Sequence, residues 1–124
     1  MLFVNSGGIV SNPTIMTYGT LSLKPGANSI NGVDFNGANA SLIIGNTAIL
    51  QGSLTGFAAT DSLIFRKVGY GPTTVFHYSG TSAGGTLTVT SGHTTGTALF
   101  NGNYTATDFH EAAAVGGGTV ITYG

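Results

Sequence analysis

Two neighbouring stretches, SINGVDFNGANASLIIGN (29–46) and TAILQGSLTGFAATDSLIF (47–65), decide the reading of the fold. Each runs through a small apolar segment, a Gly or Asn corner, and a second apolar segment that ends on a bulky side chain. From Asn28 to Phe65 such breaks fall every 8 to 12 residues and the strands between them are very short. A β-solenoid, in which each coil stacks on the next, has strands and corners at this spacing; a sandwich is the other fold that does. In stacked coils the inward Leu and Ile form columns along the axis, while Asn and Thr can form polar ladders at the corners.

Outward from these stretches, period-2 segments rich in β-branched and aromatic residues continue at 20–23, 41–44, 62–65, 74–78, 86–90, 97–100 and 119–123. Turn pairs separate them: Pro25-Gly26, Asn31-Gly32, Asn36-Gly37, Gly45-Asn46, Ser79-Gly80, Gly84-Gly85, Ser91-Gly92 and Asn101-Gly102. The chain is therefore read as all-β. Residues 74–123 carry longer alternating strands joined by tight turns, the pattern of an antiparallel meander. The expectation is one domain over 1–124, a short β-solenoid (β-helix) with coils across 20–70 and a C-terminal antiparallel hairpin layer across 71–124 that covers one end of the stack. Helix is confined to Thr105–Ala114, where Thr105 followed by Asp108 has the form of a capping box and Gly116-Gly117-Gly118 stops the segment; one or two turns are expected.

Composition restricts function. The 124 residues include only seven charged ones, Lys24, Asp34, Asp61, Arg66, Lys67, Asp108 and Glu111, about a quarter of the usual share. Three scattered cations cannot neutralise enough phosphates for nucleic-acid binding, and no polybasic cluster exists to hold an anionic membrane. No apolar run reaches the length that spans a bilayer, so membrane insertion is not expected. The first residues, MLFVNSGGIVSNP, lack the basic and long apolar regions of a cleaved signal. Glycine (21 residues) and threonine (19) make up about a third of the chain, and this charge-poor, Thr/Asn/Gly surface fits a bacterial protein outside the cell.

The runs GSLTGFAATDSLIF (52–65), FHYSGTSAGGTLTVTSGHTTGTALFNGNYTATDFH (76–110) and GGGTVITYG (116–124) resemble a module of large repetitive secreted proteins of alphaproteobacteria. There, a phrase like G-T-I-T-G-F-x-x-G-D-T-I-D-L precedes G-G-T-L-T-V-T-D-G-T-H-T-A-x-I-x-L-x-G-x-Y-x-A-x-x-F and a G-G-T-x-V ending. The resemblance covers roughly the last 75 residues. It implies a β-helical or autotransporter-like surface protein, type I secretion without a cleaved signal, and a passive role in matrix, adhesion or a surface layer. It supplies no catalytic residues. Two positions depart from the pattern, Ser91 where Asp is usual and Thr60 where Gly is usual, and the calcium-binding G-G-x-G-x-D repeat is missing.

Candidate chemistry is sparse. His77, His93 and His110 show neither the i, i+2 spacing of a strand chelate nor the i, i+4 spacing of a helical one, so they are read as strand and turn residues, with no metal and no cofactor expected. Asp108 and Glu111 would share one face of a helical turn; a glycosidase instead needs two carboxyls facing each other across a cleft, so Asp108 is read as a turn cap and Glu111 as solvated. Asp34 or Asp61 with Glu111 is the remaining hydrolytic pairing. No G-x-S-x-G elbow and no phosphate loop occurs. The tyrosines and phenylalanines are read as core in preference to a sugar-stacking platform.

The resulting expectation is a non-catalytic extracellular structural protein, not an enzyme, whose copies assemble by continuing one another's sheets into a filament, biofilm matrix or surface layer. The alternative is a glycan- or surface-binding adhesin or fibre module for cell adhesion. The expected partner is a second copy of the chain. The subunit interface is expected at Leu2-Phe3-Val4, an apolar strand set off by Gly7-Gly8 within a docking or exchanged segment 1–10, and at Arg66 and Lys67 meeting Asp108 or Glu111 of a neighbour.

Overall fold

The computed structural model describes residues 1–124. Its first coil is β1 (Leu2–Val4), β2 (Ile9–Ser11) and β3 (Thr14–Met16); the second is β4 (Thr20–Leu23), β5 (Asn28–Ile30) and β6 (Val33–Asn36); the third is β7 (Ser41–Ile44), β8 (Ile49–Leu50) and β9 (Ser53–Thr55). β10 (Ser62–Phe65) opens a fourth coil that the chain then leaves. β11 (Val75–Thr81), β12 (Gly84–Ser91), β13 (Thr94–Asn101), a 3₁₀ turn at Ala106–Asp108, β14 (Phe109–Ala113) and β15 (Thr119–Tyr123) complete it.

The solenoid forms because its apolar positions recur in register. Leu21 pairs with Leu42 and Leu42 with Leu63, one coil of 21 residues each time, whereas Leu2 pairs with Leu21 over a coil shorter by two. Inward side chains thus stack into columns, Leu2–Leu21–Leu42–Leu63 and Val4–Leu23–Ile44–Phe65, and the middle members are almost fully buried. Ile15 and Phe35 pair on the opposite wall, as do Val33 and Leu54. Corners turn on residues that tolerate positive φ: Asn12, Asn31 and Asn39 do so through asparagine, and Gly32 through glycine. A Cβ at Gly32, whose φ is 84°, would lie 2.4 Å from the Ser53 carbonyl oxygen in the next coil, so the stacking itself requires glycine there.

Three sheets result. Sheet A runs β1-β4-β7-β10-β15-β14, sheet C runs β3-β6-β9-β13-β12-β11, and sheet B holds only β2-β5-β8. Pairing is parallel within the coils and turns antiparallel at β15 and β12, so the later strands extend sheets A and C and cover that end. The hairpin layer is as read from sequence, and His93 lies in the two-residue link between β12 and β13.

Two expectations are corrected. Coils do not begin at Thr20: residues 1–10, read as a separate docking strand, contain β1 and the start of β2, and β1 pairs with the chain's own β4. The segment 105–114 is not a helix beyond one 3₁₀ turn; Thr105 makes no side-chain cap, and residues 109–113 become β14 because Phe109 gains a fully buried position opposite Tyr123 on β15. Tertiary packing outweighs weak local helix propensity in so short a segment. No helix is long and apolar enough to cross a membrane.

Candidate functional site

The two ends of the solenoid differ in chemistry. At the first coil, β1, β2 and β3 are each hydrogen-bonded to a neighbour on one side only, by β4, β5 and β6. Their other edges are free rows of N–H and C=O groups, the groups that strand addition uses. Six of the eleven large exposed apolar side chains lie in this coil: Met1, Leu2, Phe3, Ile9, Met16 and Tyr18. Leu2 points inward yet is half exposed, because no strand lies beyond it to continue its column. A hollow of about 320 Å³ opens there, lined by Met1, Leu2, Pro13, Ile15, Met16 and Leu21.

The covered end is closed by aromatic packing. Phe100 on β13 makes edge-to-face contacts with Phe57, Tyr78, Tyr104 and Phe109 at centroid distances of 5.4, 6.2, 5.2 and 5.4 Å. Tyr104 donates to the Phe57 carbonyl, and the Tyr123 hydroxyl accepts from Thr105 N–H. Burial, and then the nearby Tyr123, push the Tyr78 and Tyr104 phenols above their ordinary values. Tyr78 therefore belongs to the core and Tyr104 and Tyr123 pack against it, whereas Tyr18 and Tyr70, read as core from the sequence, are exposed.

The sequence-derived candidates scatter. Leu2 and Val4 face inward on β1, and Phe3 faces outward beneath Lys24, whose Nζ is 4.5 Å from the ring centre. Arg66 is engaged within its own chain, donating through Nη1 to the carbonyls of Val115 (2.7 Å) and Gly117 (2.6 Å), so it clasps the β14–β15 connection. Lys67 lines a groove beside Ile49 and Leu50, where sheet B stops. Asp108 sits in the 3₁₀ turn, its backbone carbonyl accepting from Gly124 N–H.

Glu111 is not solvated as expected. On β14 it stands opposite Ile121 of β15, on the same face as buried Phe109, and its Oε2 is enclosed without a hydrogen-bond partner. Burial raises its pKa above the ordinary glutamate value. An inward charge on an edge strand also discourages another strand from adding there. Between the unfolded pKa and the raised folded one, the folded chain holds more protons than the unfolded chain, so stability falls as pH rises through that window. Glu111→Gln should flatten this slope, measured as urea midpoints from mildly acidic to neutral pH; an unchanged slope would count against the enclosed carboxylate.

The remaining polar candidates do not converge. Asp61 is a structural anchor: buried at the corner before β10, it accepts from Ala40 N–H through Oδ1 and from Ala58 N–H through Oδ2, both at 3.0 Å. Asp34 stands on the outer face of sheet C between Thr14 and Thr55. His77 and His93 lie on β11 and in the β12–β13 link, and His110 Nε2 is 2.8 Å from the Gly124 carbonyl oxygen. No three histidine or carboxylate side chains gather closely enough to hold a metal ion. Ile9 and Met16, prominent at the open end, escaped the sequence reading; their signal was the apolar pairs Ile9-Val10 and Ile15-Met16 between turn residues, too short for a period to emerge. No protein-family model, curated protein or solved structure matches the chain.

Proposed function

We propose that this chain is a non-catalytic structural protein of the bacterial cell exterior that associates with further copies of itself by continuing its β-sheets. The observation that carries the reading is the asymmetry of the solenoid: strand edges and apolar side chains are open on the first coil, while the other end is covered by an antiparallel layer. Exposed edges of this kind bind strands, and natural proteins that remain monomeric blunt them with charge, proline or a bulge. The first coil has no charged side chain, and its one proline, Pro13, lies at a corner. The charge-poor, threonine-rich surface and the resemblance to secreted repetitive proteins support an extracellular matrix or surface layer. Sedimentation velocity over a wide concentration range, with negative-stain microscopy of the same samples, tests this. Concentration-dependent assembly is expected, and a monomer at every concentration would overturn the reading.

A glycan-binding module is the second reading, favoured by one surface. Thr86, Thr88 and Thr90 on β12 and Thr95 and Thr97 on β13 share the outer face of sheet C, opposite buried Leu87, Val89 and Ala98. Among these hydroxyls only Thr90 and Thr95 approach one another, at 3.4 Å, leaving the others available to sugar hydroxyls. A glycan array run with the chain and with Thr88→Val tests it: sugar binding lost in the variant supports this face, and an array without hits removes the reading.

A further inference from the structure

We propose that two copies of this chain meet first coil to first coil about a two-fold axis through β1, and that this joint closes at a pair. The inference rests on the self-association reading above and gives it a geometry.

A first coil finds its match only in another first coil. Its three edges belong to consecutive strands of one turn and so lie at one level. At the covered end the edges are not level: sheets A and C each run to a sixth strand, β14 and β11, while sheet B stops at its third, β8. A tail end therefore cannot meet all three edges at once, and β14 would bring the enclosed Glu111 carboxylate towards the Leu2 column. Heterologous stacking would leave β2 without a partner; an isologous contact pairs all three strands.

The residues agree with that symmetry position by position. A two-fold through β1 pairs it antiparallel with β1 of the second copy, centred on Phe3. Leu2 then faces Val4 of the other copy, inward against inward, and Phe3 faces Phe3 on the outside. The same rotation exchanges the remaining faces and lays β2 along β3 of the second copy. With partly buried Val10 opposite buried Ile15, outward Ile9 meets outward Met16, and Ser11 meets Thr14. Ile9 and Met16 are 66% and 59% exposed in the single chain, and the pairing covers both. A one-residue slip would set inward side chains against outward ones, so the register is defined. The corners fit as well: the four residues Asn5–Gly8 lie over the three residues Thr17–Gly19 of the other copy. One coil of 19 residues is at the small end of specific interfaces, about 20–30 residues a side, so reversible association is expected.

Cysteine is missing from the chain, so one thiol can report the axis. Phe3→Cys should oxidise to a symmetric disulfide-linked dimer, since directly opposed antiparallel residues lie within disulfide reach, while Val75→Cys on the covered end should stay unlinked. Ile9→Glu and Met16→Lys, both at exposed outward positions, should each weaken association at least about tenfold by setting a charge against an apolar side chain. The double variant should recover it, because each new carboxylate then meets an ammonium of the other copy. Sedimentation equilibrium reads the association, and circular dichroism with thermal melting reads folding. A linked dimer and recovery in the double variant support the head-to-head joint. Dimers or polymers that neither link through Phe3→Cys nor recover in the double variant would overturn the joint while self-association stands. A chain monomeric throughout would overturn both.

Discussion

Phe100→Ala should lower the unfolding free energy by about 3–5 kcal/mol, a large part of the roughly 5–15 kcal/mol that holds a domain of this size. Phe100 is about 2% exposed and stands where the last full coil meets the covering layer. It continues the Leu54 column upward, and above it Gly85 and Gly80 pair across β12 and β11. Its ring touches four other aromatic rings edge-on, so alanine removes the buried surface together with the geometry of those pairs. The cavity cannot easily collapse, because β13 is held by β9 on one side and β12 on the other. Urea unfolding measures the loss, and hydrogen exchange should find β11, β12 and β13 opening before the coils. Leu99→Ala, on the outward face of the same strand, should stay within about 0.5 kcal/mol. A Phe100→Ala loss below about 1 kcal/mol would mean that the covering layer is not tied to the coils through this residue.

Asp61→Ala should cost about 2–4 kcal/mol, through a different mechanism. Its two carboxylate oxygens each accept one backbone N–H, from Ala40 in the preceding coil and from Ala58 in its own loop. Ala40 is fully buried, so no water can replace the lost acceptor there, and an orphaned buried donor costs about 1–3 kcal/mol. At about 3–6 °C per kcal/mol, the midpoint of thermal unfolding should drop by roughly 6–24 °C. Asp61→Asn keeps one acceptor and turns an NH₂ group towards the other amide, so its loss should be nearly as large. Equal stability of the aspartate and alanine chains would sink the assignment of Asp61 as a link between coils, and would reopen its carboxylate to other roles.

These two residues mark where sequence reading succeeded and where it stopped. The stacking of 41–44 on 62–65 was legible because Ser41-Leu42-Ile43-Ile44 and Ser62-Leu63-Ile64-Phe65 are nearly the same phrase, and their partners in space are the same letters. The β12–β13 hairpin was legible because eight-residue alternation and a Gly92-His93 link are local features. Asp61 read only as half of a hydrolytic pair with Glu111, since its two actual partners are backbone amides and backbone amides leave no letter in a sequence. Glu111 was misread for a related reason: three residues from Asp108 it suggested a shared helical face, but β15 drew the segment into a strand and turned the carboxylate inward. The rest of the first coil was hidden by length, because β2 and β3 carry one inward side chain each and no period can be counted.

By itself the sequence determined that the chain is all-β, that it coils before it forms hairpins, and that it carries only seven charged residues, because period, turn residues and composition are local or additive quantities. Only the tertiary structure decided that the open end is a full coil built by β1, β2 and β3, which carboxylate anchors a corner and which lies enclosed. Those depend on which strand edges find a neighbour, and strands far apart in the chain settle that: β15 lies against β10 and β13 against β9, while nothing within the chain lies against β1.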